Sequence, residues 1–411
     1  MRSMVQIIGL AGMLIASPAI AEKSKPSPIG EGVTLAPMLD MRMRYEMVQQ
    51  DDIGLVADAL TIRLRPGLEL AFDEGLSILA EAEATLGVIN GFNSTTNGKG
   101  GRYSVVADPQ NIELNRIQLN YRTGDGSQFT VGRQRINLDD QRFVGSVGWR
   151  QNEQTFDAVR IQTKLFTLLD LDAVYANSQR TIFGIDAAGR QALDGDFYLA
   201  GAGINKGGIG IKGFAYLLDY DQKEGLNANS SQTYGVRATS KWQISPDIKF
   251  DLAASYAVQS DYGENILDYS ADYISFSVGT AIAGIEVTGG YEELGAGDNP
   301  AIAFRTPLAT LHKFNGWADI FLTTPPDGLR DYHLTIAKKL SGFKMLPGLN
   351  ASVTYHEFEA DRGGLTYGSE WDAQLGFKLN PVAVQIKYAN YNAKTFSTDT
   401  EKLWLQVGYS F

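Results

Sequence analysis

The chain has 411 residues, a formal net charge of −11, 20% charged residues and no cysteine. The acid excess argues against nucleic-acid binding through the whole surface, and the lack of cysteine excludes disulfides, thiolate metal sites and thiol nucleophiles. A content of 44 glycines, 19 tyrosines and 19 phenylalanines points to a β-rich architecture.

Residues 1–21 read as a cleaved secretory signal. One early cation, Arg2, precedes an apolar stretch from Met4 to Ala16, and the small-x-small sequence Ala19-Ile20-Ala21 stands before Glu22. No later apolar run approaches the length of a membrane helix. In LDMRMRYEM (39–47), Leu39, Met41, Met43, Tyr45 and Met47 alternate with Asp40, Arg42, Arg44 and Glu46. A period of two means a strand with one apolar and one charged face. The pattern recurs in LTIRLRPGLELAF (60–72), AEAEATLGV (80–88), RIQLNY (116–121), IKFDLAASY (248–256), WDAQLGFKL (371–379) and VAVQIKYA (382–389). Segments of about ten residues suit a tilted strand crossing a bilayer. The chain closes on LWLQVGYSF (403–411), whose terminal Phe411 resembles the C-terminal signature of bacterial outer-membrane proteins and implies the barrel-assembly machinery as a partner.

The connections alternate in length. Short turns are expected at 73–75, 123–126, 164–166, 205–207, 245–247, 280–283, 341–348 and 380–381, with long polar loops near 91–110, 138–155, 178–194, 221–231 and 294–329. Short turns on one side and long loops on the other describe an up-and-down transmembrane β-barrel, formed by residues 22–411 as one all-β unit. The first strand leaves the periplasm and the last returns to it, so the strand count is even. Placing GWADIFL (316–322) inside a long loop gives eighteen strands, with sixteen the nearest alternative.

In such a barrel the apolar face meets lipid and the polar face lines the interior. Phase sends Arg42, Arg44, Arg63, Arg65, Arg116, Arg160, Lys164, Arg237, Lys241, Lys249, Lys378 and Lys387 to the lumen, along with Asp40, Glu46, Glu69, Glu81, Glu83 and Asp251. Glu81 and Glu83 are placed to pair with Arg63 and Arg65 across one hairpin. Arg42, Arg44, Arg116 and Arg160 lack obvious acidic partners, which predicts a positive arc. Guanidinium groups bind carboxylates at two points, and rings of Arg and Lys select anions. The acids Asp51-Asp52, Asp139-Asp140, Asp219 and Asp221 fall in long loops, expected to face lipopolysaccharide outside. Tyr45, Tyr121, Tyr234, Tyr256, Trp371, Tyr388 and Tyr409 read as an interfacial girdle. Trp149 and Trp317, in loops, are candidates either for sugar contact or for packing.

One stretch breaks the alternation: QFTVGRQRINLDDQRFVGSVGWRQNEQTFDAVRI (128–161). Phe129 and Val131 point to lipid, and strict phase carries Arg133 and Arg135 there too, unless Gly132 makes a bulge that turns both inward. The stretch resembles the alginate-export family of outer-membrane porins, most closely over Gly132-Arg133-Gln134-Arg135-Ile136 and Thr155–Arg160, with a weaker likeness over 313–331. The resemblance implies an eighteen-stranded barrel with an arginine constriction for a polyuronate. Arg133 and Arg135 are then its central pair, Arg42, Arg44, Arg63, Arg65, Arg116 and Arg160 lie nearby, and Arg142 and Arg150 fold inward with the loop. The alginate exporter has paired tryptophans and an acid after the motif, where this chain has Phe143-Val144-Gly145-Ser146-Val147-Gly148-Trp149. The expected solute is therefore broader than alginate: an anionic saccharide or a sugar acid. A general diffusion porin and a closed structural or adhesive barrel are the alternatives.

Other chemistry finds little footing. GIGIKG (208–213) has the GxGxxG spacing of dinucleotide sites but no helix after it. His312, His333 and His356 are far apart in sequence, and no GxSxG nucleophile motif accompanies them. No catalytic residue, metal site or cofactor is expected.

Overall fold

A computed structural model describes residues 26–221, 223, 225–245 and 248–411. The expected signal segment lies outside the described residues, as do Pro246 and Asp247 of one expected turn. A short strand, β1 (Ser27–Gly30), pairs with β2 (Val33–Gln50). There follow β3 (Ala57–Phe72), β4 (Leu76–Gly91), β5 (Asn111–Arg122), β6 (Gln128–Gln134), β7 (Thr155–Leu165), β8 (Leu169–Arg180), β9 (Ala192–Lys206) and β10 (Ile209–Tyr220). The second half comprises β11 (Ser231–Ser245), β12 (Ile248–Asp261), β13 (Ser270–Ile282), β14 (Ile285–Leu294), β15 (Leu329–Lys339), β16 (Asn350–Glu359), β17 (Thr366–Leu379), β18 (Val382–Ala393) and β19 (Thr400–Ser410).

Each strand from β2 onward pairs antiparallel with its neighbours, and β19 returns to β2 with Gln406 opposite Arg44. The result is a closed eighteen-stranded barrel, as the parity argument requires, with residues 316–322 inside a loop. Closure pairs the last edge with the first, so no open edge meets hydrocarbon. The alternation read from the sequence is the partition between lipid and lumen. Met41 and Met43 are 40% and 46% exposed on the outer face, whereas Arg42 and Arg44 between and beside them are 5% and 0% exposed within the barrel.

The girdle tyrosines lie on the outer face, and near the extracellular strand ends three of them, together with Tyr175 and Tyr355, are fixed by carboxylates. Tyr45 donates to Asp58 (2.5 Å), Tyr175 to Asp196 (2.7 Å), Tyr256 to Asp272 (2.8 Å), Tyr355 to Glu357 (2.5 Å) and Tyr388 to Glu401 (2.9 Å).

The interior departs from a simple polar lining. Two long loops, 135–154 and 295–328, fold into the barrel and build an apolar core there. Ile136, Leu138, Val144, Ile302, Phe304, Leu308 and Phe321 pack on inward-facing Phe197, Phe214, Tyr216, Tyr273, Phe358 and Tyr391 of the wall. Burying apolar loop side chains needs an apolar patch to receive them, so part of the inner wall gives up its polar character.

Candidate functional site

Arg42 and Arg44 on β2 stand beside Arg63 and Arg65 on β3, with Arg42 in register with Arg63. All four are buried, and what buries them is loop 135–154. The Arg42 guanidinium donates to the carbonyls of Gly148 (3.1 Å), Trp149 (2.8 Å) and Arg150 (3.2 Å). Arg44 donates to the Trp149 carbonyl (2.5 Å) and to Gln406 Oε1 (2.7 Å), and its guanidinium lies 3.9 Å above the Trp149 ring. Arg65 reaches the Gln151 carbonyl at 3.1 Å. A loop without regular structure carries unsatisfied carbonyls, and a row of guanidinium forks meets that need.

Carboxylates answer most of the remaining charge. Arg63 pairs with Asp40, Arg65 with Glu83 and, at 3.2 Å, with Glu153. Arg116 grips Glu81 at 2.9 and 2.6 Å, and Arg160 grips Asp172 at 2.9 and 2.5 Å. The expected lack of partners for Arg116 and Arg160 is thus corrected: their acids come from the adjoining strands β4 and β8, a pairing visible only once register is fixed. Arg44 has Asp108 at 3.6 Å. Arg42 differs, since among the described residues no carboxylate oxygen lies within ion-pair distance of it and its bonds go to main-chain carbonyls.

The two motif arginines part company. Gly132 does take a left-handed φ of +110°, and a Cβ there would sit 2.4 Å from the Ile117 carbonyl oxygen. The ladder nevertheless runs on without a bulge: Arg133 opposes Ile117 on β5 and Asp157 on β7. Ile117, Val131 and Val159 on this face are 40–50% exposed to lipid, so Arg133 stays outside. There it is clamped by Asp157 at 2.8 and 3.0 Å and donates to the Leu114 carbonyl at 3.1 Å. The inward turn expected of both arginines is made by Arg135 alone, because it lies past the end of β6. Arg135 binds Glu153 through two bonds of 2.8 and 2.5 Å.

Glu153, which the sequence reading passed over, is the hub of this wall. It receives Arg135, Arg65 and Asn115 (2.7 Å). Burial pushes its carboxyl up, but Arg135 and Arg65 outweigh that and hold it well below the ordinary carboxylate range. Its place in the Gln151-Asn152-Glu153-Gln154 run beside the motif was the one available signal.

Asp139 and Asp140 also turn inward rather than outward as expected. Asp139 meets Lys212 at 2.9 Å and Asp140 meets Arg237 at 2.7 Å, so wall cations draw the acidic loop tip across the lumen. Arg142 bonds Glu292 (2.8 Å) and Asn315 (3.1 Å), and Arg150 bonds Asp319 (2.8 Å) and Glu46 (3.4 Å). Trp149 stacks on His312 at 4.3 Å, and the Lys387 ammonium lies 4.0 Å from Trp149 and 3.7 Å from Trp317. Both tryptophans therefore serve packing in this arrangement. His333 and His356, remote in sequence, are direct register partners on β15 and β16.

The alginate export family matches residues 35–260, more than half of the chain. Among solved structures, Acinetobacter baumannii OccAB3 superimposes with a TM-score of 0.71 at 15% identity, covering 92% of this chain and 99% of that one. Pseudomonas aeruginosa OccK9 (OpdG) gives 0.72 at 12% identity over 92% and 98% of the two chains. Pseudomonas aeruginosa OpdK with vanillate gives 0.69 at 14% identity over 91% and 98%. Such low identities carry the fold alone. No curated protein matches the sequence. Family match and closed barrel agree: the chain belongs to the alginate export family and is a bacterial outer-membrane protein with the porin fold.

Proposed function

We propose that the barrel is a passive channel, not an enzyme, for anionic solutes of the uronate-saccharide or sugar-acid class, which pass along the wall formed by β2 to β7. The observation that carries this reading is Arg42, a buried guanidinium with neighbours Arg44 and Arg63, whose partners are carbonyls of a loop. A carboxylate entering as the loop shifts would exchange neutral acceptors for an ion pair held at two points, the geometry the guanidinium fork is shaped for. Arg44, Arg63, Arg65, Arg116, Arg135 and Arg160 extend the track, and Arg142 braces the loop. Arg133 falls outside the track, on the lipid face. Vanillate, present in the OpdK structure, is a carboxylate but not a saccharide, and so agrees with the charge of the proposed solute only.

Bilayer recordings under a salt gradient test the reading. The expected reversal potential is that of an anion-selective pore, shifting toward cation selectivity in Arg42→Ala and further in the Arg42→Ala, Arg44→Ala double variant. Cation selectivity in the parent, unchanged in both, refutes it. The dense packing of two loops in the lumen favours a second reading, a closed barrel with a structural or adhesive role. Absence of single-channel current together with absence of galacturonate uptake into proteoliposomes would select it. On either reading the outer carboxylate-tyrosine ring faces lipopolysaccharide, and the strand ending in Phe411 is the part read by the assembly machinery.

A further inference from the structure

Asp331 and His333 stand two residues apart on β15 and so share its inner face, and β16 brings His356 directly opposite His333. One donor atom from each of the three lies within 4.8 Å of the others. We propose that this trio binds a divalent transition-metal ion of the zinc, copper or nickel type on the lumenal wall, on grounds independent of the solute reading above.

The donor set decides the class of ion. Two imidazoles and one carboxylate suit zinc, copper or nickel, whereas calcium and magnesium take oxygen ligands. The spacing is also close to what such an ion needs. Metal–ligand bonds of 2.0–2.1 Å place tetrahedral ligands about 3.3 Å apart. Asp331 Oδ1 lies 3.8 Å from His333 Nδ1 and 2.8 Å from His356 Nδ1, the latter a hydrogen bond that an ion seated between the two atoms would replace. His333 Nδ1 is buried and, among the described residues, has no hydrogen-bond partner. A buried ring nitrogen left without a bond is costly, and a metal ion would use its lone pair.

The surroundings resemble those of a supported site. With His356 Nδ1 turned to the ion, its Nε2 faces Asp372 Oδ2 at 3.7 Å, the carboxylate-behind-imidazole arrangement that fixes a ligating ring. Asp331 keeps its second oxygen for Asn315 Nδ2 at 3.2 Å. The His333 ring lies over its register partner Gly290, where a Cβ would come within 2.2 Å of Nε2. Glycine there leaves the space the ring occupies. Three protein donors leave a coordination position open, and the half-buried His333 offers a route for entry. Through Asn315, which also bonds Arg142, a bound ion would be tied to both inward loops.

The test uses the full barrel without a histidine tag, refolded in detergent, stripped with a chelator and titrated with zinc chloride by calorimetry. A parallel sample receives Cu²⁺ for electron paramagnetic resonance. One saturable ion per chain, a two-nitrogen coupling pattern, and at least tenfold weaker binding in both His333→Gln and His356→Asn are expected. No saturable ion, a spectrum without imidazole nitrogen, or undiminished affinity in either variant overturns the proposal. Heat-dependent gel mobility confirms that each variant is a closed barrel, and the copper spectrum of the parent decides the matter if a variant does not fold.

Discussion

Asp157 is a single carboxylate that keeps an arginine tolerable on a lipid-facing surface. Its two bonds to Arg133 satisfy a cation that alone would cost roughly 1–4 kcal/mol, depending on depth. Asp157→Ala is therefore expected to destabilise the barrel by an amount in that range in urea unfolding from lipid vesicles, and Arg133→Leu in the same background should restore most of the loss. His312 gives a second residue-scale expectation. Lys387 donates to its Nε2 at 2.8 Å, so its proton sits on Nδ1 and goes to Asp319 at 2.7 Å. Burial pushes the imidazole well below its ordinary 6.5, with Asp319 opposing and Lys387 and Arg150 adding to the shift. Trp149, Trp404, Lys387, Arg150 and Asp319 are the groups around it. The sign follows from linkage: an unseated loop takes up the proton below about pH 6.5 while the seated one refuses it, so seating weakens as pH falls. Current fluctuations in bilayers should rise as pH is lowered from 7 to 5, and His312→Gln, which keeps both hydrogen bonds but does not titrate, should flatten that dependence.

At the scale of elements, loop 135–154 owes its position to the short strand before it. β6 ends at Gln134, and β5 continues above Ile117 without a β6 partner, so the chain is released into the lumen there. Replacing 137–151 by a short Gly/Ser link is expected to leave the ladder intact and to raise single-channel conductance several-fold. Unchanged conductance would mean that the remaining loop 295–328 sets the constriction. The strands themselves were legible in the sequence because their period of two is imposed by lipid on one side and water on the other, and this constraint acts residue by residue. The destinations of the loops were not. Asp139 and Asp140 look like any acidic loop tip until Lys212 and Arg237 are known to stand across the lumen. Arg133 shows the same limit at one position: strict phase placed it toward lipid, the family likeness placed it inside, and the deciding residue, Asp157, lies 24 positions away on a neighbouring strand. His333 and His356 became neighbours through a register that the ten residues of the intervening turn do not announce.

For the whole molecule, the two inward loops are joined to each other as well as to the wall. Gly145 N donates to the Leu308 carbonyl at 2.8 Å, Thr310 N to the Gln141 carbonyl at 3.1 Å, and Gln154 Nε2 to the Leu308 carbonyl at 3.0 Å. Arg142 then carries the connection to β14 through Glu292, while Asn315 bonds both Glu292 (2.7 Å) and Asp331 (3.2 Å). Groups that share partners in a buried polar network respond to mutation together, with coupling of about 0.5–3 kcal/mol. If the loops move as one body, Arg142→Ala and Asn315→Ala should each raise conductance and lower unfolding stability, and the double variant should fall short of the sum. The cycle is read twice, once in urea unfolding and once in the closed-to-open ratio of single channels. Strict additivity in both would mean that the loops move separately and that solute passes between them rather than beside the arginine wall. Coupling in the closed-to-open ratio alone would place the network in gating and leave the barrel wall to hold the fold.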